Sequence, residues 1–167
     1  MALERLWASW RADYVSGAGA APEAGVCVFC RLVEMGVGPD SGVVAVEGTA
    51  FCILNAYPYG SGHLLVLPRR HEASLLALDD QEATDLWRLA RRALAAVEQA
   101  YGPDGVNLGA NLGQAAGAGI PAHLHLHVLP RWSGDTNFMT SIAEMRVLPE
   151  SLEETWRKVR KAFDTLA

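Results

Sequence analysis

Three histidines alternate with apolar residues in His123-Leu124-His125-Leu126-His127-Val128-Leu129-Pro130. Imidazole is neutral over much of its population near pH 7, so it can act as nucleophile, proton donor or metal ligand. Strict alternation predicts a β-strand, with Leu124, Leu126 and Val128 toward the core and the three imidazoles sharing the other face. Same-face neighbours on a strand are roughly 6.6 Å apart, so the outer two backbones are separated by roughly 13 Å. That spacing favours three imidazoles with different jobs over one three-histidine metal site.

A second group able to do chemistry is Cys27-Val28-Phe29-Cys30. This spacing is a common zinc half-site, and a closed tetrahedron needs two more ligands. Alternatives are a redox pair, for which no βαβ context is present, and two core cysteines. Cys52 lies in an apolar run and reads as an inert core residue.

The chain must position these groups. Residues 3–15 carry Leu3, Leu6, Trp7, Trp10 and Tyr14 at helical spacing, an amphipathic arm, and residues 16–25 form a Gly/Ala-rich connection. A short helix is expected around Arg31 to Met35. Val43–Val46 and Ala50–Leu54 read as a hairpin turning at Glu47-Gly48, and His63–Pro68 as a buried strand. A long helix is predicted from about Asp79 to Tyr101, with acids in its first turns and the stripe Leu86, Leu89, Ala90, Ala93, Leu94 and Val97. Gly102-Pro103-Asp104-Gly105 stops it. Val106–Asn111 is a further strand, the Gly/Ala-rich loop 112–122 leads into the histidines, and Ser133-Gly134-Asp135 is a turn. A closing helix over 149–167 would bury Leu152, Trp156, Val159 and Phe163 and present Lys158 and Lys161 to solvent. The division expected is an arm (1–24), a domain (25–148) and a C-terminal helix (149–167).

With 167 residues, 50% apolar and 20% charged, the chain suits one soluble globular domain. A formal charge of −5 argues against a general nucleic-acid binder. A local basic pocket from Arg69, Arg70 and Arg131 stays open. No apolar run approaches a membrane span, and no signal-peptide core precedes the tryptophans, so a cytoplasmic protein with reduced thiols is expected. The glycines of 113–119 do not complete a dinucleotide-binding fingerprint. Neither a Walker A lysine nor a nucleophile elbow is present.

The run HLHLHVLP resembles the His-x-His-x-His motif of the histidine triad (HIT) superfamily of nucleotide hydrolases and transferases. Pro58-Tyr59-Gly60-Ser61-Gly62-His63-Leu64-Leu65-Val66-Leu67-Pro68 is similar to the family's Gly-His strand, and Asn55 and Asn111 precede the two histidine segments at the family's spacing. The likeness covers roughly residues 27–135. The ends, LWASWRADY and GDTNFM…RVLPE, resemble the bacterial branch that includes diadenosine tetraphosphate phosphorylases.

The resemblance implies an α+β HIT fold: roughly five antiparallel strands with one long helix across them and short terminal helices. It implies nucleotidyl transfer at an α-phosphate, with His125 forming a nucleotidyl-histidine and His127 and His63 assisting. Asn55, Asn111 and Trp132 would contact the nucleotide. Backbone N–H groups around Gly117, Gly119 and Ile120 would meet phosphate charge. Cys27, Cys30, His71 and His123 would hold a structural Zn2+, and Mg2+ would accompany a polyphosphate substrate. A homodimer is implied, with small-molecule nucleotides as partners and neither nucleic acid nor membrane. One departure stands out: AGAGIPAH lacks the Gly-Gln-Ser/Thr that most members carry before the first histidine, which bears on rate and leaving group. Rival readings are a phosphoramidase, a metallohydrolase using His123 and His125, and a non-catalytic nucleotide-binding module.

Overall fold

The computed structural model describes residues 26–135 and 150–166. The predicted N-terminal arm and the segment 136–149 lie outside them. In chain order the elements are α1 (Val28–Glu34), β1 (Val43–Glu47), β2 (Ala50–Leu54), β3 (Leu64–Pro68), a 3-10 turn (Leu75–Ala77), α2 (Asp80–Tyr101), β4 (Gly105–Ala110), a 3-10 turn (Gln114–Ala116), β5 (Leu126–Arg131) and α3 (Leu152–Thr165). The strands form one antiparallel sheet in the order β1-β2-β3-β5-β4. This is the α+β architecture the sequence predicts.

β2 and β3 are apolar at every position because both faces of the sheet are covered. On one face Cys52, Leu54, Leu64, Val66, Leu124, Leu126 and Val128 pack against α2 and α3. On the other, Phe51, Ile53, Leu65 and Leu67 meet Phe29 of α1, with Ile120 at the margin. Alternation along each strand sends successive side chains to these separate cores. The first core is the larger; the second lines the histidine side.

α2 begins where the predicted acids lie. Asp79 accepts from the Glu82 N–H at 2.8 Å and Glu82 returns to the Asp79 N–H at 3.1 Å, a capping box. It ends at Gly102 in the left-handed conformation that glycine adopts without strain. The anticipated stripe faces the sheet, with Ala96 added and Leu94 half-buried. α3 shares the same core through Val159, Ala162 and Phe163, and the Trp156 indole N–H donates to the Val43 carbonyl at 2.9 Å. Leu152 was expected inside but is 41% exposed; Thr155 takes the inward position and donates to Glu150. Lys158 and Lys161 are exposed as expected.

The histidine strand starts later than its alternation predicts. β5 begins at Leu126, because β3–β5 pairing ends at Val66↔Leu126. Leu124 N–H bonds to Glu72 O at 2.6 Å instead of continuing the ladder, and Pro121 has no N–H to give. Leu124 and His125 keep their inward and outward directions, and the His123 ring packs against Phe29 and Phe51 on the histidine side.

Candidate active site and metal centre

The chain's five histidines, from three segments, fall into two adjoining groups. The first group is built around His125. Its Nδ1 lies 2.8 Å from the His123 carbonyl oxygen. A carbonyl only accepts, so Nδ1 carries the proton and the lone pair is left on Nε2. That nitrogen makes no hydrogen bond to the described residues, so a lone pair is held ready in a buried ring.

The protons of its neighbours can be followed from the backbone outward. Tyr59 N–H donates to His63 Nδ1 at 3.0 Å, which places the proton of neutral His63 on Nε2. His63 Nε2 lies 2.9 Å from His127 Nδ1, so it donates there. His127 must then carry its own proton on Nε2, an atom that is buried and has no partner. A buried donor left unsatisfied is costly, and such an atom marks a place where a ligand acceptor belongs. Burial first, and then the neighbouring His125, lowers the His127 pKa and keeps it neutral near pH 7. The His125 and His127 rings meet edge to face at 5.2 Å.

His123 anchors the second group. Its Nε2–H donates to Pro68 O at 2.9 Å, leaving Nδ1 as the lone pair. Nδ1 lies 3.4 Å from Cys27 Sγ and 3.7 Å from Cys30 Sγ, and His71 Nδ1 is 3.6 Å from Cys30 Sγ. Around tetrahedral zinc, with Zn–S about 2.3 Å and Zn–N about 2.0–2.1 Å, sulfur and nitrogen ligands are about 3.6 Å apart. The four donor atoms all lie within 4.8 Å of one another, and the donor set fits a closed Cys2His2 site. The Pro68 carbonyl supplies the outer contact that fixes the ligating tautomer of a metal-bound histidine. Burial and the adjacent Cys27 push the Cys30 thiol up to about 11, a crowding that a bound cation relieves. Burial likewise lowers the pKa of His123, favouring the neutral ligand form.

The remaining predicted positions divide. Asn55 Oδ1 accepts from Tyr57 N–H at 2.9 Å, an Asx turn, and its amide lies 3.3 Å from His63 Nδ1. Asn111 stands over the glycine loop, its Nδ2 3.7 Å from where a Cβ on Gly117 would lie. The Gly117 N–H is already bonded to Gln114 O at 2.9 Å, closing the 3-10 turn, so it is not a free phosphate donor in this conformation. Those of Gly119 and Ile120 are unpaired among the described residues. The Trp132 ring meets Tyr101 edge-on at 6.3 Å, and its nearness to Arg131 in sequence places it beside the end of β5. Of the three arginines, Arg69 and Arg70 line one cavity, where Glu34 and Glu82 balance their charge, and Arg131 is not among its lining residues. Arg70 is paired with Glu82 and Glu72, and Arg131 with Asp135 and Asn107.

Two site residues were not anticipated. Phe29, between the two cysteines, sits 5.7 Å from the His125 ring and 5.6 Å from His123. Tyr59 stacks on His127 at 5.9 Å. The cue for Phe29 was an apolar residue inside the metal half-site; for Tyr59 the sequence offered nothing beyond its nearness to His63.

Three histidines clustered on an antiparallel sheet, with an adjoining Cys2His2 group, define a class of protein. The HIT domain sequence model matches residues 39–134, and the chain belongs to that family. Among its relatives, an AP-4-A phosphorylase of Mycobacterium tuberculosis is 36% identical over 159 residues, covering 93% of this chain and 82% of that protein. A Zn-bound histidine triad family protein from Mycobacterium smegmatis superposes with a TM-score of 0.67 at 29% identity, covering 84% of this chain and 94% of that one. A hypothetical histidine triad nucleotide-binding protein from Sulfolobus tokodaii gives 0.68 at 27% identity, covering 84% and 93%.

Proposed function

We propose that the chain cleaves dinucleoside polyphosphates, such as diadenosine tetraphosphate, at the α-phosphate through a nucleotide bonded to His125. The observation that carries this reading is the pair of opposed ring nitrogens: a lone pair on His125 Nε2 beside an unpartnered donor on His127 Nε2. His125 Nε2 attacks the α-phosphorus, and the bond from phosphorus to the bridging oxygen breaks. The imidazole becomes a cation whose Nδ1–H faces the His123 carbonyl, a dipole placed to stabilise it. His127 Nε2–H donates a hydrogen bond to the departing oxygen. A polyphosphate leaves as an anion, so this donor need not surrender its proton. The acceptor then attacks phosphorus, the P–N bond breaks, and neutral imidazole returns.

Gly119 and Ile120 N–H supply phosphate donors, and Asn55 and Asn111 contact the nucleotide. Phe29 and its apolar cluster offer a surface for the base. Zinc on Cys27, Cys30, His71 and His123 is structural, since all four positions are filled by protein. Mg2+ would travel with the polyphosphate. The metallohydrolase alternative is disfavoured by direction: His123 Nδ1 faces the cysteines while His125 Nδ1 is committed to a carbonyl. The open edge of β4, with Leu108 exposed, suits the homodimer that the family resemblance implies. No described helix is long and apolar enough to cross a membrane.

The likeness to the phosphorylase favours phosphate as acceptor. Incubation with diadenosine tetraphosphate and phosphate should give ADP plus ATP; water as acceptor gives AMP plus ATP. His125→Asn should abolish both and leave no acid-quenched protein-bound nucleotide. Full activity in that variant refutes the assignment.

A further inference from the structure

Resting on the reading of His127 as donor to the leaving oxygen, we propose that the Tyr59 ring is a positioning residue that sets the plane in which His127 presents that donor. The hydrogen bond from His63 to His127 Nδ1 fixes one atom of the ring. It does not fix the plane, because torsions of this sp3–sp2 kind have broad wells. The plane must come from packing. Of the rings around His127, His125 meets it at 68° and His63 at 39°, whereas Tyr59 lies nearly parallel at 17° with centroids 5.9 Å apart. That is offset stacking, the arrangement aromatic faces favour.

Tyr59 thus acts on the relay twice. Its backbone N–H fixes the tautomer of His63, and its ring lies 4.7 Å from His63 and flat against His127. The chain enters this position through Pro58, whose ring fixes one backbone torsion, and leaves through Gly60. At 45% exposure the ring is a cover, not a core anchor, so changing it leaves the sheet intact. A misaligned donor matters only when the departing oxygen needs it. The consequence is a dependence on leaving group that no other role of Tyr59 produces.

The test uses the full zinc-loaded chain and adenosine 5′-monophosphate esters of phenols graded from 4-nitrophenol to phenol, with formation of the protein-bound nucleotide followed in single turnovers. Tyr59→Leu should slow the phenyl ester at least tenfold and the 4-nitrophenyl ester less than threefold. Tyr59→Phe, which keeps the ring, should restore both. His127→Gln is the control: it should show the same graded loss, more steeply. Graded loss in His127→Gln with none in Tyr59→Leu overturns the proposal and leaves the donor reading standing. A flat response in His127→Gln overturns both. Uniform loss over all esters in Tyr59→Leu, with the melting temperature lowered, assigns the ring a structural role and also overturns the proposal.

Discussion

Removing the metal should release α1 and leave the sheet standing. α1 has seven residues and no side-chain hydrogen bond at its N-cap. Isolated helices below about 12 residues are marginal, so something else must hold it. Phe29 is buried and Val28, Leu32 and Val33 are half-buried against the second apolar cluster. Burying the Phe contributes about 2–3 kcal/mol, and half-burying three aliphatic side chains about 3 kcal/mol more. Ordering the seven residues, at about 1 kcal/mol each, costs about 7 kcal/mol. The apolar contacts fall short by about 1–2 kcal/mol, roughly a tenfold preference for the released segment. Closure of a structural zinc site contributes about 10 kcal/mol or more and reverses the balance.

Hydrogen exchange of the zinc-loaded and chelated full chain, read by mass spectrometry, reports this directly. On chelation the amides of Val28–Glu34 should exchange at least tenfold faster, while those of Leu64–Pro68 keep their protection. Metal analysis of the loaded protein should give one zinc per chain. Unchanged protection of α1 in protein verified to be metal-free would refute the reasoning, as would loss of protection throughout the sheet at the same chelator concentration.

Two further outcomes follow from the scaffold. Gly48→Ala should lower stability to urea by about 2–3 kcal/mol, because Gly48 has φ +54° and its new Cβ would lie 2.3 Å from the Asp85 carboxylate oxygen that accepts from Thr49. Asp85→Ala in the same chain should recover part of that loss, and strictly additive losses would show that the contact is not the cause. Glu82 is held at about 2 by its hydrogen bond from Arg70 and by the Asp79 N–H. A depressed carboxylate stabilises the fold fully above its unfolded value, near pH 4.3, and this contribution is lost as pH falls through 2. Glu82→Gln should therefore flatten the decline of melting temperature between pH 4.5 and 2, and an unchanged slope would rule Glu82 out as its source.

Much of this molecule was written locally. Alternation marked the strands, the acids at 79–85 marked the start of α2, and Gly102 marked its end. Where local pattern failed, a longer-range partner had intervened. Alternation said strand from His123, but Leu124 N–H went to Glu72 and the ladder began three residues later. Helical spacing put Leu152 inside, but Glu150 accepts from Tyr101 of α2 as well as from Thr155, and Thr155 takes the inward position while Leu152 is exposed. Trp132 follows β5 in sequence and meets Tyr101, the last residue of α2, edge-on.

The types and spacings of the histidines were enough to name a family, because its chemistry demands particular atoms, and the resemblance then nominated the four residues that the fold brings together. Which nitrogen of each imidazole holds a proton was not in the sequence at all. That is decided by the carbonyl of His123, the N–H of Tyr59 and the carbonyl of Pro68, main-chain groups carried by separate segments. Every residue but proline owns such groups, so no side-chain pattern can announce them. Only the paired strands bring them to within hydrogen-bond reach of the rings they govern.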